Sequence, residues 1–141
     1  GDIGDLGTAQ RLADFKPLRA VYGNIDGQDI RSMWPLHQRF LCEGVEVWMT
    51  HIGGYPGHYD PSLRTLIVAN PPKLFICGHS HILKIIYDKK LELLHLNPGA
   101  AGSKGFHKAQ TALRFVIDGK DIRDMEIWQL EKTGKFENLK I

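Results

Sequence analysis

Phe75-Ile76-Cys77-Gly78-His79-Ser80-His81 is the stretch around which the chain is organised. Lys73 to Cys77 is apolar and partly aromatic, and Pro71-Pro72 stops whatever precedes it, so a short buried strand is expected there. Gly78 lets the backbone turn sharply, and His79 and His81 follow at once. Imidazoles at i and i+2 point into one cavity only from a loop or a distorted strand end. The mouth of a sheet is where ligand sites of α/β folds gather. Taken alone, the pair fits two solvated loop histidines as well as it fits two ligands.

The 141 residues suffice for one domain with its own core. Apolar and charged content are ordinary for a globular protein. A formal charge of +2, with Lys89-Lys90 the longest basic run, gives no nucleic-acid patch. No apolar run approaches the ~20 residues that span a bilayer, so no membrane partner is expected. Cys42 and Cys77 sit in apolar strand-like runs, which points to buried free thiols and a cytoplasmic location. Nothing in the sequence opposes a homodimer. The chain begins Gly1-Asp2-Ile3-Gly4-Asp5 without Met, as expected of a domain shortened at its N-terminus.

Along the chain, Thr8 is expected to cap a helix through Phe15, which Pro17 ends, and Leu18 to Tyr22 reads as a strand. Gly23-Asn24-Ile25-Asp26-Gly27 follows it directly; Asn24 and Asp26 there fit turn chemistry or a site. Arg31 to Leu36 reads as irregular. His37 to Cys42 and Val45 to Thr50 form a strand pair across Glu43-Gly44, with His37 on the strand surface. His51 ends the second strand. The glycine-rich aromatic run to Tyr59 has the composition of a loop covering a site, from which His58 either reaches substrate or is solvated. Asp60-Pro61 opens a helix whose Leu63, Leu66 and Ile67 face inward, with Asn70 a further candidate. Leu83 to Tyr87 and Leu91 to Leu96 form a hairpin, in which His95 reads as structural. Asn97-Pro98-Gly99 is either a tight connection or a loop that brings Asn97 to a site. Thr111 to Ile117 and Lys120 to Leu130 pair across Asp118-Gly119, and the polar end is frayed or a late strand.

The polar residues that follow strands are Asn24, His51, His79 and His81, joined by Asp2 if a strand precedes it. A carboxylate, an amide oxygen and three imidazoles suit Mn, Fe, Zn or Ni better than Ca. The lack of thiolates argues against structural zinc.

The chain resembles the calcineurin-like metallophosphoesterases, above all their small bacterial and archaeal phosphodiesterase branch. Gly1-Asp2, Gly23-Asn24-Ile25-Asp26, Thr50-His51, Gly78-His79-Ser80-His81 and Asn97-Pro98-Gly99 carry the resemblance in order. It implies an α/β fold, a four-layer αββα sandwich whose first strand and helix this chain lacks. It also implies two divalent transition-metal ions, manganese first, with iron, nickel or zinc as alternatives. Asp2 would bridge both ions, Asn24, His51 and His79 would complete one site, and His81 would join the other. Asp26 would orient groups near Asn24; His58 and Asn97, read from their loops, are the further candidates on the substrate side. The implied reaction is hydrolysis of a small-molecule or nucleotide phosphodiester. Ile25 stands where the family often has the histidine that protonates the leaving group. The alternative is a non-catalytic scaffold like the eukaryotic retromer scaffold subunit, with Trp34, Tyr55 and Tyr59 offering contact surface.

Overall fold

The computed structural model describes residues 1–141. Strands β1 (His37–Cys42) and β2 (Val45–Thr50) form the expected hairpin, in register from His37–Thr50 to Cys42–Val45. β2 runs parallel to β5 (Leu74–Ile76), and β5 runs parallel to β7 (Leu93–Pro98). β6 (Leu83–Asp88) closes the sheet antiparallel to β7, giving the order β1-β2-β5-β7-β6. β5 is therefore central and parallel to both neighbours. A strand packed on both faces reads as a continuous apolar run, which is what Leu74-Phe75-Ile76 is.

The second sheet holds β8 (Ala109–Asp118), β9 (Asp121–Glu131) and β10 (Phe136–Lys140) in the order β10-β9-β8. Its inward residues Leu113, Phe115, Ile117, Ile122 and Met125 pack on Val45, Val47, Leu74 and Leu96 of the first sheet. The opposite face of the first sheet buries Trp48, Phe75, Cys77 and Leu93 against Leu63 and Ile67 of α3 (Pro61–Ala69). Two facing sheets with helix outside form the expected mixed α/β sandwich. α1 (Leu6–Phe15) and α2 (Gln28–Met33) contact each other, and Ala9 and Ile30 are their buried residues.

Several local expectations change. Asp5, not Thr8, caps α1: its carboxylate accepts the Thr8 N–H at 2.8 Å. Leu18 to Tyr22 forms no strand, because no neighbouring strand offers it a ladder; the Tyr22 N–H bonds only the Pro35 carbonyl, at 3.1 Å. Arg31 to Leu36 was expected to be irregular, but Arg31 to Met33 form the end of helix Gln28–Met33, whose short apolar pattern is too brief to show a period. Asp60 caps α3 as expected, accepting the Ser62 N–H at 2.9 Å. Leu63 and Ile67 are buried, whereas Leu66 is 57% exposed and Asn70 is exposed, since an i, i+4 stripe suffices to cover the sheet. The covering loop contains a small hairpin, β3 (Gly54–Tyr55) with β4 (His58–Tyr59). Tyr59 is buried rather than a contact surface, and its hydroxyl donates to Asp88 at 2.7 Å. His95 is wholly buried, and its Nε2 donates to the Gly54 carbonyl at 3.0 Å, tying this loop to β7. Both cysteines are free thiols; burial pushes Cys77 up to about 12.

Candidate metal centre

The site forms where β2 and β5 end. His51 follows β2 directly and is buried. Its carbonyl accepts the Gly78 N–H at 2.9 Å, which locks the turn after β5 to the end of β2. That turn carries His79 at φ 66° and His81 at φ 57°; Asp2 has φ 56°. Non-glycine residues at such angles cost of order 1–3 kcal/mol each and cluster where function demands them. Asp2 and His79, two of these residues, turn toward the same point.

Asp2, His51 and His79 each turn one ligand atom inward, and these atoms all lie within 4.8 Å of one another. His51 Nε2 is 3.3 Å from Asp2 Oδ2 and donates to Asn24 Oδ1 at 3.0 Å. Two oxygens therefore face the same ring nitrogen, and Asp2, Asn24 and His51 would hold a divalent cation together once that nitrogen gives up its proton. One carboxylate, one amide oxygen and two imidazoles form a donor set suited to a borderline divalent ion, so the residues present fit the metal that the sequence implied. The Ile25 N–H donates to Asp2 Oδ1 at 3.1 Å, leaving the other oxygen for the centre.

The surrounding residues fix this geometry. Asp26 is buried and accepts the Gly4 N–H at 2.8 Å and the Gly23 N–H at 2.7 Å. Burial pushes its carboxyl upward, but N–H groups of Gly23, Gly4 and Ile3 outweigh this and hold it below the usual carboxylate value. Asn97, at the end of β7 rather than in a loop, donates to the Gly78 carbonyl and to Ser80 Oγ, both at 3.0 Å. It braces the His79–His81 turn from below. His58 is exposed beside Tyr55, 5.0 Å between ring centroids, and is not among the converging atoms. Nor is His81, whose ring meets that of His107 edge-on at 5.3 Å. Sequence reading passed over His107, which has no strand or motif beside it. It also passed over the cavity of about 320 Å³ next to Asn24 and His51, lined also by Leu36, Ile52, Leu63 and Leu66.

Gly23 permits this arrangement. A Cβ there would collide with Asp2 Oδ1 and with the Asp2 backbone nitrogen. Gly23→Ala is therefore expected to displace Asp2 and weaken metal affinity by about 10–100-fold, the range seen when a supporting partner is lost. Titration calorimetry with Mn²⁺ checks it, and unchanged affinity would exclude Asp2 from the centre.

Burial pushes the imidazoles of His51 and His95 below the ordinary value; at His51 the Asp2 carboxylate opposes this in part. The unfolded chain takes up these protons near pH 6.5 and the folded chain only at lower pH. Stability is thus full above about pH 6.5 and falls as the pH drops below it. The urea midpoint of the metal-free protein is expected to fall between pH 7.5 and 5.5; an unchanged midpoint would contradict the burial assigned to these rings.

The sequence profile of the calcineurin-like phosphoesterase superfamily domain matches residues 1–120. The chain belongs to this superfamily. No curated protein matches the chain. Among solved structures, Vps29 from Entamoeba histolytica complexed with Zn²⁺ superposes with a TM-score of 0.78 at 15% identity, covering 100% of this chain and 78% of that one. A Thermotoga maritima protein solved by NMR gives a TM-score of 0.59 at 28% identity, over 97% of this chain and 74% of that one. A conserved Streptococcus pneumoniae protein described as a predicted phosphoesterase gives 0.57 at 17%, over 87% and 70%. The Vps29 and Streptococcus likenesses establish the fold. A metallophosphoesterase domain with a candidate metal triad is thus in place, and no helix is long and apolar enough to cross a membrane.

Proposed function

We propose that this chain hydrolyses small phosphodiesters at a divalent-cation centre held by Asp2, Asn24, His51 and His79, with His81 serving a second ion. The observation that supports this most is the convergence of Asp2, His51 and His79 within 4.8 Å. Bound there, divalent cations, manganese first, would polarise the phosphoryl oxygens and lower the pKa of a water. The protein's own part is placement. The Ile25 N–H holds one oxygen of Asp2 and turns the other inward, while Asn97 and the His51 carbonyl fix the turn that carries His79.

The cavity beside Asn24 and His51 suits the leaving alcohol. Leu36, Ile52, Leu63 and Leu66 line it, with Asp60 the one acidic residue and no Lys or Arg to hold a second phosphate. Ile25, 66% exposed, offers no proton to a departing alkoxide. Since general acids contribute roughly 10²–10⁴-fold, esters of acidic alcohols are favoured. The two free thiols fit a cytoplasmic setting.

Bis(4-nitrophenyl) phosphate is the first substrate to test. Turnover is expected to appear with Mn²⁺, to vanish with chelator, and to exceed that on 4-nitrophenyl phosphate. A metal-loaded protein inert on both would sink the enzymatic reading. It would favour an interaction scaffold instead, for which Trp128, Leu130 and Phe136, exposed on the outer face of the second sheet, supply contact area.

A further inference from the structure

His107 lies in the connection between β7 and β8, outside the Asp2–His51–His79 group. Its Nε2 is 2.8 Å from the Gly102 carbonyl oxygen. A carbonyl only accepts, so in the neutral ring the proton sits on Nε2 and the lone pair on Nδ1. That Nδ1 is buried and has no hydrogen-bond partner. A buried polar atom left unpaired costs free energy, and nearly all such atoms in folded proteins find a partner.

What faces it is His81. The two rings meet edge-on at 5.3 Å between centroids. A Cβ built on Gly105 would stand 2.6 Å from His81 Nδ1 and 2.9 Å from His107 Nδ1. Both Nδ1 atoms therefore face Gly105 and lie no more than about 5.5 Å apart, and any side chain at position 105, where φ is +132°, would collide with them. Metal-bound histidines typically donate their second ring N–H to a backbone carbonyl, which fixes the tautomer and aims the lone pair. His107 already makes that bond with Gly102.

We propose that His81 and His107 clamp a divalent transition-metal ion of the imidazole-preferring kind, such as Zn²⁺ or Ni²⁺, through their Nδ1 atoms. The pair lies outside the Asp2–His51–His79 group and gives the ion assigned to His81 a ligand that no motif of the sequence supplies. It rests on the reading of His81 as a metal ligand and is independent of whether the chain is a catalyst.

The test uses the full chain, Zn²⁺ as probe, and no activity assay. Long-range proton–nitrogen spectra of the histidine rings are recorded during a Zn²⁺ titration, with bound zinc measured after dialysis. Wild type is expected to hold two equivalents, with the Nδ1 resonances of His81 and His107 moving together. His107→Ala, and His107→Phe, which keeps a planar ring in the loop, are each expected to lose one equivalent and leave the signals of His51 and His79 responsive. A variant carrying both His51→Ala and His79→Ala should keep the equivalent held by His81 and His107. Two equivalents retained by both His107 variants, or a His107 Nδ1 signal indifferent to zinc, would overturn the clamp. Loss of one equivalent in a protein inert on diesters would uphold it while removing the catalytic reading.

Discussion

Asp2→Asn is expected to abolish metal-dependent diester hydrolysis while leaving the fold intact. The substitution keeps the shape and the acceptor for the Ile25 N–H, now at 3.1 Å from Oδ1. It removes the one negative charge among the three converging side chains. A neutral amide holds a divalent ion far less well than a carboxylate among imidazoles. The loss should exceed the roughly 10–100-fold that follows removal of a supporting partner outside the ligand shell. Two measurements decide it: bound manganese per chain, and the rate on bis(4-nitrophenyl) phosphate. A variant with wild-type rate and full metal content would show that the centre lies elsewhere. A variant that keeps its metal but loses turnover would leave Asp2 in the chemistry and transfer the affinity to the histidines.

Phe75→Ala should be the most damaging single change to stability. Phe75 is wholly buried at the middle of β5, the central strand. Its ring meets Trp48 edge-on at 5.8 Å and Tyr59 at 6.0 Å between centroids. Removing such a side chain forfeits its transfer energy and leaves a cavity that a close-packed core cannot refill, a cost of about 3–5 kcal/mol. Native proteins are stable by about 5–15 kcal/mol, so the variant should stand near the edge of folding. Urea unfolding followed by tryptophan fluorescence measures this directly. β5 leads straight into Gly78 and His79, so the same variant should also bind metal more weakly. A loss below about 1 kcal/mol would mean that the core collapses onto the gap, and that β5 does not set the position of the turn.

Much of this was legible in the sequence because it is local. The apolar run before Gly78 announced a buried strand, Asp60-Pro61 announced a helix start, and Asp118-Gly119 announced a hairpin. Each depends on backbone chemistry within a few residues, and the structure contains all of them. The order of Asp2, Asn24, His51 and His79 along the chain also marked a set of candidates, since each residue type is a ligand in its own right. Leu18 to Tyr22 failed for the opposite reason: a strand exists only with a partner, and nothing local states that the partner is absent.

Only the tertiary structure decided which candidates meet. It brings His51, from β2, and His79, from the turn after β5, to Asp2, because the parallel pairing of β2 and β5 ends both strands at one level. It turns His81 toward His107, which lies in the connection after β7 and carried no mark in the sequence. It also turns Leu66 outward and buries Tyr59 against Asp88. Residue type sets what a side chain can bind, and short-range pattern sets which element it rides on. Which nitrogen is left without a partner is a property of pairing across the fold, and the sequence holds that information only through the fold itself.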